Sequence, residues 1–567
     1  MKNTPNKMWS AFSAPLSELW RTLSIVLLVV ATGPGAAEDA FTYRSPTGVV
    51  FRVDAEGLRS VSVGEREVGG GSWRLVNPGD TFRSLRNDVT ISEPAQKQFE
   101  KQSETEVTVR HRQGEVSVRY RYRFDGEDAC IEARVENHNP SADLPAVQFT
   151  GLSFRFASKP AGNLFTNSPN YIQANKKLED FCHPSHFVPV GGNYRSEENY
   201  GFALSPWNTG LRRTLFWGYP LHREKDGWRQ RVHYILPWIV PRRGARTFEM
   251  KLRVSPDSDW KHLLAPYREH FRSTFGEVRY EPDHRPFVRG SMGSGYHAGP
   301  NNPFGPNGPS RRLDLPRGME RFCDWVIPGM KRANFQGAMF WALGGWNPRG
   351  GMYRTDFDVF PKAYTKTLPI LQERFREAGL TLGVCTRPGQ LTVRVTRKRD
   401  RVLSIDPDNA GHLGMIWRRF DRMIERGFRA FYLDSFGHSM RDVKIMQHLR
   451  EKMGPRIQTY AEHECDIMML YSGIYDNVRY DKRSGEFRHG VRAWEIYRWL
   501  IGRTPATFIT NRVRGAPQNA PPTFHEYLYR HQLTPNVADW KLGTYGEEIG
   551  DLNRKYLDAQ HQWRPGK

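Results

Sequence analysis

Phe428-Arg-Ala-Phe-Tyr-Leu-Asp-Ser-Phe-Gly437 runs six residues of aromatic, aliphatic and Arg/Ala character straight into a carboxylate, Asp434. A run of that length and texture predicts a buried strand, and the Ser-Phe-Gly after it predicts a turn into a new helix. In a parallel α/β barrel, catalytic groups sit where strands end and βα loops begin. An acid at that point is a candidate nucleophile or acid/base group, provided the rest of the chain builds the barrel.

Working outward, the same punctuation recurs. Three times a helical pattern stops at a glycine suited to a left-handed cap, and a strand follows at once: Ala378-Gly379 into Leu380-Thr-Leu-Gly-Val-Cys385, Arg426-Gly427 into the Asp434 strand, and Met453-Gly454 into Arg456-Ile-Gln-Thr-Tyr-Ala461. Before Gly427, Leu413, Ile416, Trp417, Phe420 and Ile424 share one helical face, with Asp408 or Asn409 to cap its start. Ser439 with Asp442 predicts a capping box for the helix after Asp434. Repeated βα units across residues 287–567 predict a (β/α)8 TIM barrel. Its first two strands are expected at Phe287–Gly293 and Gln336–Leu343, the sixth within Tyr471–Tyr480 and the seventh at Ala506–Thr510. An eighth has no clear signal.

Residues 41–256 have a different texture. Gly48–Val53, Glu106–His111, Val116–Arg123, Cys130–Val135 and Thr247–Val254 alternate apolar and polar residues between Gly, Asn and Asp turns. That pattern predicts an antiparallel β-sandwich. Residues 257–286 read as a helical linker, with a helix over Leu263–Phe275 and an extended Glu281-Pro-Asp-His-Arg-Pro286.

At the start of the chain, Lys2, Lys7 and Arg21 precede the apolar run Leu23–Ala31, and Gly35-Ala36-Ala37 offers small residues for cleavage. This predicts a signal peptide over 1–37 and an exported protein, with no stable membrane span after cleavage; the long stretch before the apolar run leaves an uncleaved anchor as the alternative. The net charge is +22, and removal of that segment leaves +20. Such a balance favours an anionic partner, here an anionic glycan, although a solvated Arg-rich surface accounts for it equally. No nucleic-acid motif is present. Five widely spaced cysteines (130, 182, 323, 385, 465) form no metal-binding cluster, and a Cys130–Cys182 bridge is conceivable after export. No metal or organic cofactor is called for.

Glu462 follows the fifth expected strand, 28 residues after Asp434, so both acids should emerge on neighbouring strands at one face. A retaining glycosidase needs such a pair about 5–5.5 Å apart, one nucleophile and one proton donor with a raised pKa. Glu464 and Asp481 compete with Glu462 as proton donor, and either acid could instead cap a helix or pair with an arginine. For the substrate, Trp341 and Trp346 could stack on a sugar ring, though Trp341 suits a core position as well. Arg387 could bind a hydroxyl, carboxylate or sulfate, or pair with Asp434 or Asp406; Arg479 and Asp481 complete the candidate binding set. Tyr296, His297 and the Asn/Pro/Gly-rich stretch 299–309 read as a loop shaping the cleft. The basic run Arg394–Arg401 reads as a solvated loop.

Ile405-Asp-Pro-Asp-Asn409, the amphipathic helix, and Gly427-Phe-Arg-Ala-Phe-Tyr-Leu-Asp434-Ser-Phe-Gly together resemble the strand-three-to-four region of retaining α-glycosidases. That group includes the α-galactosidase and α-glucosidase clan and the endo-α-N-acetylgalactosaminidases, in which a β-sandwich before the barrel is usual. The resemblance implies Asp434 as nucleophile, with a strand-five Glu or a strand-six Asp as proton donor, matching Glu462 or Asp481. The chain lacks the Lys-Tyr-Asp and Trp-x-Asp-Met signatures of the best-known members, so their substrates do not carry over. Two other functions fit the same residues: a catalytically silent carbohydrate-binding protein, and a polysaccharide lyase.

Overall fold

The computed structural model describes residues 40–71, 74–76, 96–144, 147–160, 162–163, 190–194, 199–208, 215–218, 222–236, 239–291, 315–341, 362–394, 401–437, 439–463, 465–481, 486–488, 491–503, 507–511, 521–530, 533, 535–538 and 542–561. The expected signal segment, Cys182, the loop with Tyr296 and His297, Trp346, Glu464 and the centre of the basic run at 395–400 lie outside them.

Alternation in the first part of the chain becomes antiparallel pairing. Glu106–Gln113, Val116–Asp125, Asp128–Asn137 and Gly244–Ser255 lie side by side in an eight-stranded sheet. Along Val116–Asp125, residues Val116, Val118, Tyr120, Tyr122 and Phe124 are buried while the positions between them are not, as a strand wet on one face requires. A nine-stranded sheet, containing Val49–Asp54, Val147–Phe156 and Gly227–Leu236, contributes to the same hydrophobic core. Rings meet between the two: Phe154 stacks on Phe202 at 3.7 Å and Phe149 meets Phe248 edge-on at 5.9 Å. Among the described residues, which do not include Cys182, Cys130 has no disulfide partner.

After helix Trp260–Phe275 the architecture changes to strands that pair in parallel. In chain order these are Phe287–Ser291, Gly337–Trp341, Thr381–Thr386, Phe428–Leu433, Gln458–Ala461, Gly473–Asp481, Thr507–Asn511 and Pro535–Ala538. Each of the first six pairs with the next, the seventh pairs with the sixth and eighth, and the eighth pairs with the first. The parallel sheet is therefore strongly curled. Helices Pro316–Arg332, Lys362–Glu377, Ala410–Glu425, Met440–Met453, Val491–Ile501, Pro521–Arg530 and Leu542–His561 alternate with the strands.

The local signals act as expected. Gly379, Gly427 and Gly454 hold φ of 68°, 90° and 73°, which glycine adopts without steric cost. Asn409, not Asp408, caps Ala410–Glu425 by accepting from the Gly411 and His412 N–H groups. Ser439 accepts from the Asp442 N–H at 3.3 Å, and the Asp442 carboxylate accepts from the Gly437 N–H. Two features went unforeseen. Gln390–Arg394 and Arg401–Ser404 form an antiparallel hairpin flanking the basic run, so its edges are strands rather than loop. The eighth strand is only four residues long and opens on a proline.

Candidate active site

Register brings the chemistry together. Thr386 lies opposite Leu433, and Leu433 opposite Ala461. The next residues along, Arg387, Asp434 and Glu462, therefore form one row across the third, fourth and fifth parallel strands. The ladder continues through that row: the Asp434 N–H donates to Thr386 O at 2.9 Å and the Glu462 N–H to Leu433 O at 3.0 Å. Side chains alternate along a strand, so each member of the row points the same way as the residue two before it. Those residues, Cys385, Tyr432 and Tyr460, belong with Phe287, Met339, Ala430 and Tyr475 to one buried cluster. The row is the polar end of that apolar stack.

Arg387 donates from Nε to Asp434 Oδ2, an ion pair with both side chains about nine-tenths withdrawn from water. Glu462 is held by the Ser435 N–H, which donates to Oε2 at 2.7 Å, and by the Tyr432 hydroxyl. Its carboxyl group is also within hydrogen-bonding reach of Asp434. Two carboxylates that close cannot both be charged at low cost. Burial first, and then the Asp434 charge, push the Glu462 carboxyl up to about 7. The His463 imidazole stands 3.5 Å from Oε2.

The backbone around the pair is unusual in two places. Ser435 has φ of 52°, a left-handed conformation that costs an L-residue about 1 kcal/mol. It aims the N–H at Glu462, a case of local strain at a site. Gly437 has φ of 120°, and a Cβ there would fall 1.6 Å from His463 O. Only glycine lets the loops after the fourth and fifth strands run this close, joined by the His463 N–H to Phe436 O bond.

The remaining candidates are placed as follows. Trp341 ends the second strand, its backbone in register with Ser291. Arg479 and Asp481 close the sixth strand, where they pair with Arg488 and Glu486 of a short antiparallel strand. Ala461 is opposite Ile474, which sets Asp481 six residues beyond the Glu462 row, roughly 20 Å along the strand at 3.3 Å per residue. Of the acids considered, the described residues thus bring Asp434 and Glu462 together. Arg387 takes the carboxylate pairing that the sequence left open. Tyr432 and His463 were missed; the period-two position of Tyr432 before Asp434 was the available signal. Among the described residues, no group of three or more His, Cys, Asp or Glu side chains is placed to hold a metal ion, and no helix is long and apolar enough to cross a membrane.

No protein-family model and no curated protein sequence matches this chain. Solved structures do resemble it in fold. The α-N-acetylgalactosaminidase NagBb from Bifidobacterium bifidum is 12% identical, with 91% of this chain and 93% of that chain covered and a TM-score of 0.57. The α-galactosidase TtGalA from Thermus thermophilus, in complex with stachyose, is 13% identical over 81% of this chain and 99% of that one, with a TM-score of 0.41. A GH31 family sulfoquinovosidase from E. rectale is 9% identical over 91% and 82%, with a TM-score of 0.48. At such identities the likeness is one of fold, and of these three it is substantial for NagBb.

Proposed function

We propose that this protein is an exported glycoside hydrolase that cleaves α-glycosidic bonds of a polysaccharide or glycoconjugate with retention, on a (β/α)8 barrel preceded by a β-sandwich. The observation that carries the proposal is the carboxyl pair Asp434–Glu462 at adjacent strand ends, one acid salt-bridged and the other pushed up to about 7. Asp434 is the nucleophile. Its oxygen attacks the anomeric carbon as the bond to the leaving oxygen breaks, and Glu462 gives that oxygen its proton. Water then returns a proton to Glu462 and attacks the anomeric carbon, which frees Asp434.

A hydrogen-bonded pair is nearer the 5–5.5 Å of retaining enzymes than the 6.5–9.5 Å that an inverting enzyme needs for its water. An acid poised near 7 holds its proton at neutral pH and still releases it readily. The fold shared with NagBb, an α-N-acetylgalactosaminidase, supports the α-glycosidase class. Export rests on the basic, apolar and small-residue order of residues 1–37.

The test is hydrolysis of a panel of aryl α-glycosides. Turnover that Asp434→Asn abolishes, and that azide restores to a small-side-chain variant at this position as the glycosyl azide of inverted configuration, is the expected result. Turnover that survives Asp434→Asn removes the nucleophile, and an unsaturated product would mark a lyase instead.

A further inference from the structure

We infer that Arg387 is a positioning residue that decides which of the two carboxyl groups carries the shared proton, keeping Asp434 the anion and Glu462 the acid. The inference rests on the proposed role of the pair, but it concerns something that role leaves open. Two carboxyl groups in hydrogen-bond contact hold one proton between them, and symmetry alone gives it to neither. A mechanism with fixed roles needs an asymmetry, and the three-residue row supplies one.

The surroundings differ sharply for the two acids. Asp434 receives the Nε–H of Arg387, a group that stays cationic throughout the working pH range. Glu462 receives neutral donors, the Ser435 N–H at 2.7 Å and the Tyr432 hydroxyl. Among the described residues, the titratable groups that face the pair are Arg387 just past the third strand, Tyr432 from the fourth and His463 after the fifth, with Cys385 and Tyr475 beside Tyr432. Of these described groups Arg387 carries the permanent charge.

Arg387 is also fixed in place. Its carbonyl accepts from Arg419 Nη2 at 2.8 Å, and Arg419 bonds Gln390 O as well. Arg441 bonds Gly389 O, Ile405 O and Ser404 Oγ at the base of the Gln390–Ser404 hairpin. Two arginines from the following helices thus clamp the turn that presents a third to Asp434.

The experiment reads the proton directly and then in catalysis. Infrared spectra of the full chain near pH 6 are recorded with ¹³C-carboxyl glutamate or ¹³C-carboxyl aspartate. In the native protein the glutamate label should shift the protonated-carboxyl band assigned by its loss in Glu462→Gln. In Arg387→Gln an aspartate-sensitive component should appear, and Arg387→Lys should restore the native pattern. Arg387→Met, of similar bulk, serves if the glutamine variant does not fold. In kcat/KM profiles, the neutral variants should raise the acidic limb by one pH unit or more, with kcat falling more than KM changes.

A band that stays wholly glutamate, with unmoved limbs, in a folded neutral variant overturns the inference while leaving the hydrolase intact. Conversely, hydrolysis that survives both Asp434→Asn and Glu462→Gln removes the proposed reaction, and the infrared result still decides where the proton sits.

Discussion

Two buried arginines, one at each end of the parallel strands, show what burial of the same side chain accomplishes in different company. Arg387, just past the end of the third strand, faces a carboxylate that is itself paired with a second acid. Arg450, in the last turn of helix Met440–Met453, reaches the starts of the fifth and sixth strands. It donates to Tyr471 O, Gly454 O, Ile457 O and Thr459 Oγ1, all between 2.7 and 2.9 Å. Burial pulls its guanidinium down to about 10, still cationic at neutral pH. Every one of those acceptors is a neutral group that the fold already fixes, so Arg450 ties helix to strands. At the other end, charge faces charge and a proton is left to move. Under the proposed function, strand starts serve stability and strand ends chemistry, the division expected of the two faces of a (β/α)8 barrel.

That contrast can be broken in four places. The largest effect falls on Asp434→Asn: kcat/KM on an aryl α-glycoside should drop about 10³-fold or more, measured well below the unfolding transition, because loss of the buried Arg387 counter-ion also lowers stability. Turnover that falls only in proportion to the folded fraction would make Asp434 a structural partner of Arg387. Next, Arg450→Met should lower unfolding free energy in urea by about 3 kcal/mol, because several buried carbonyls lose their donor. Its kcat/KM below the transition should stay within a factor of about two of native. A stable Arg450→Met protein with impaired turnover would reverse the assignment of the two ends.

Glu462→Gln carries a pH signature. Since the folded Glu462 carboxyl is raised, its stabilising contribution is complete below the unfolded value near 4.5 and is lost as pH climbs through about 7. The variant, which cannot ionise, should therefore match the native melting temperature near pH 4. Above pH 7 it should exceed native by the equivalent of about 1–3 kcal/mol. A difference independent of pH would place the raised acid elsewhere. On substrates with poor leaving groups the same variant should lose about 10²–10⁴-fold in rate, and far less on activated aryl glycosides. The smallest effect is expected of Ser435→Gly, where relief of the left-handed backbone offsets the added chain entropy. Stability should rise by about 0.5 kcal/mol at most, and a loss larger than that would mean the hydroxyl, not the backbone, holds the loop.

The glycine-capped repeats were legible because the period of apolar residues and the cap lie within a few positions of each other. Phe428–Leu433 coincides with its expected span, and Trp260–Phe275 extends its own by one turn. Pro535–Ala538 was not legible: four residues that begin with proline and bury Asn536 have neither alternation nor a hydrophobic run. The hairpin beside Arg387 was concealed by its own charge, because Arg394–Arg401 has the composition of a loop. In the site, adjacency of Asp434 and Glu462 followed from one βα unit of spacing. The Arg387–Asp434 pairing spans 47 residues and was one of two partners the sequence allowed. Register, absent from a sequence, chose between them.

Hydrolysis of an aryl α-glycoside panel by the native chain and by Asp434→Asn decides whether Asp434 is a glycosidase nucleophile. The native protein should release the aryl alcohol from at least one member, with a loss of about 10³-fold or more in the variant. Equal rates in the two proteins, or a native protein that binds the glycosides and cleaves none, would contradict that role.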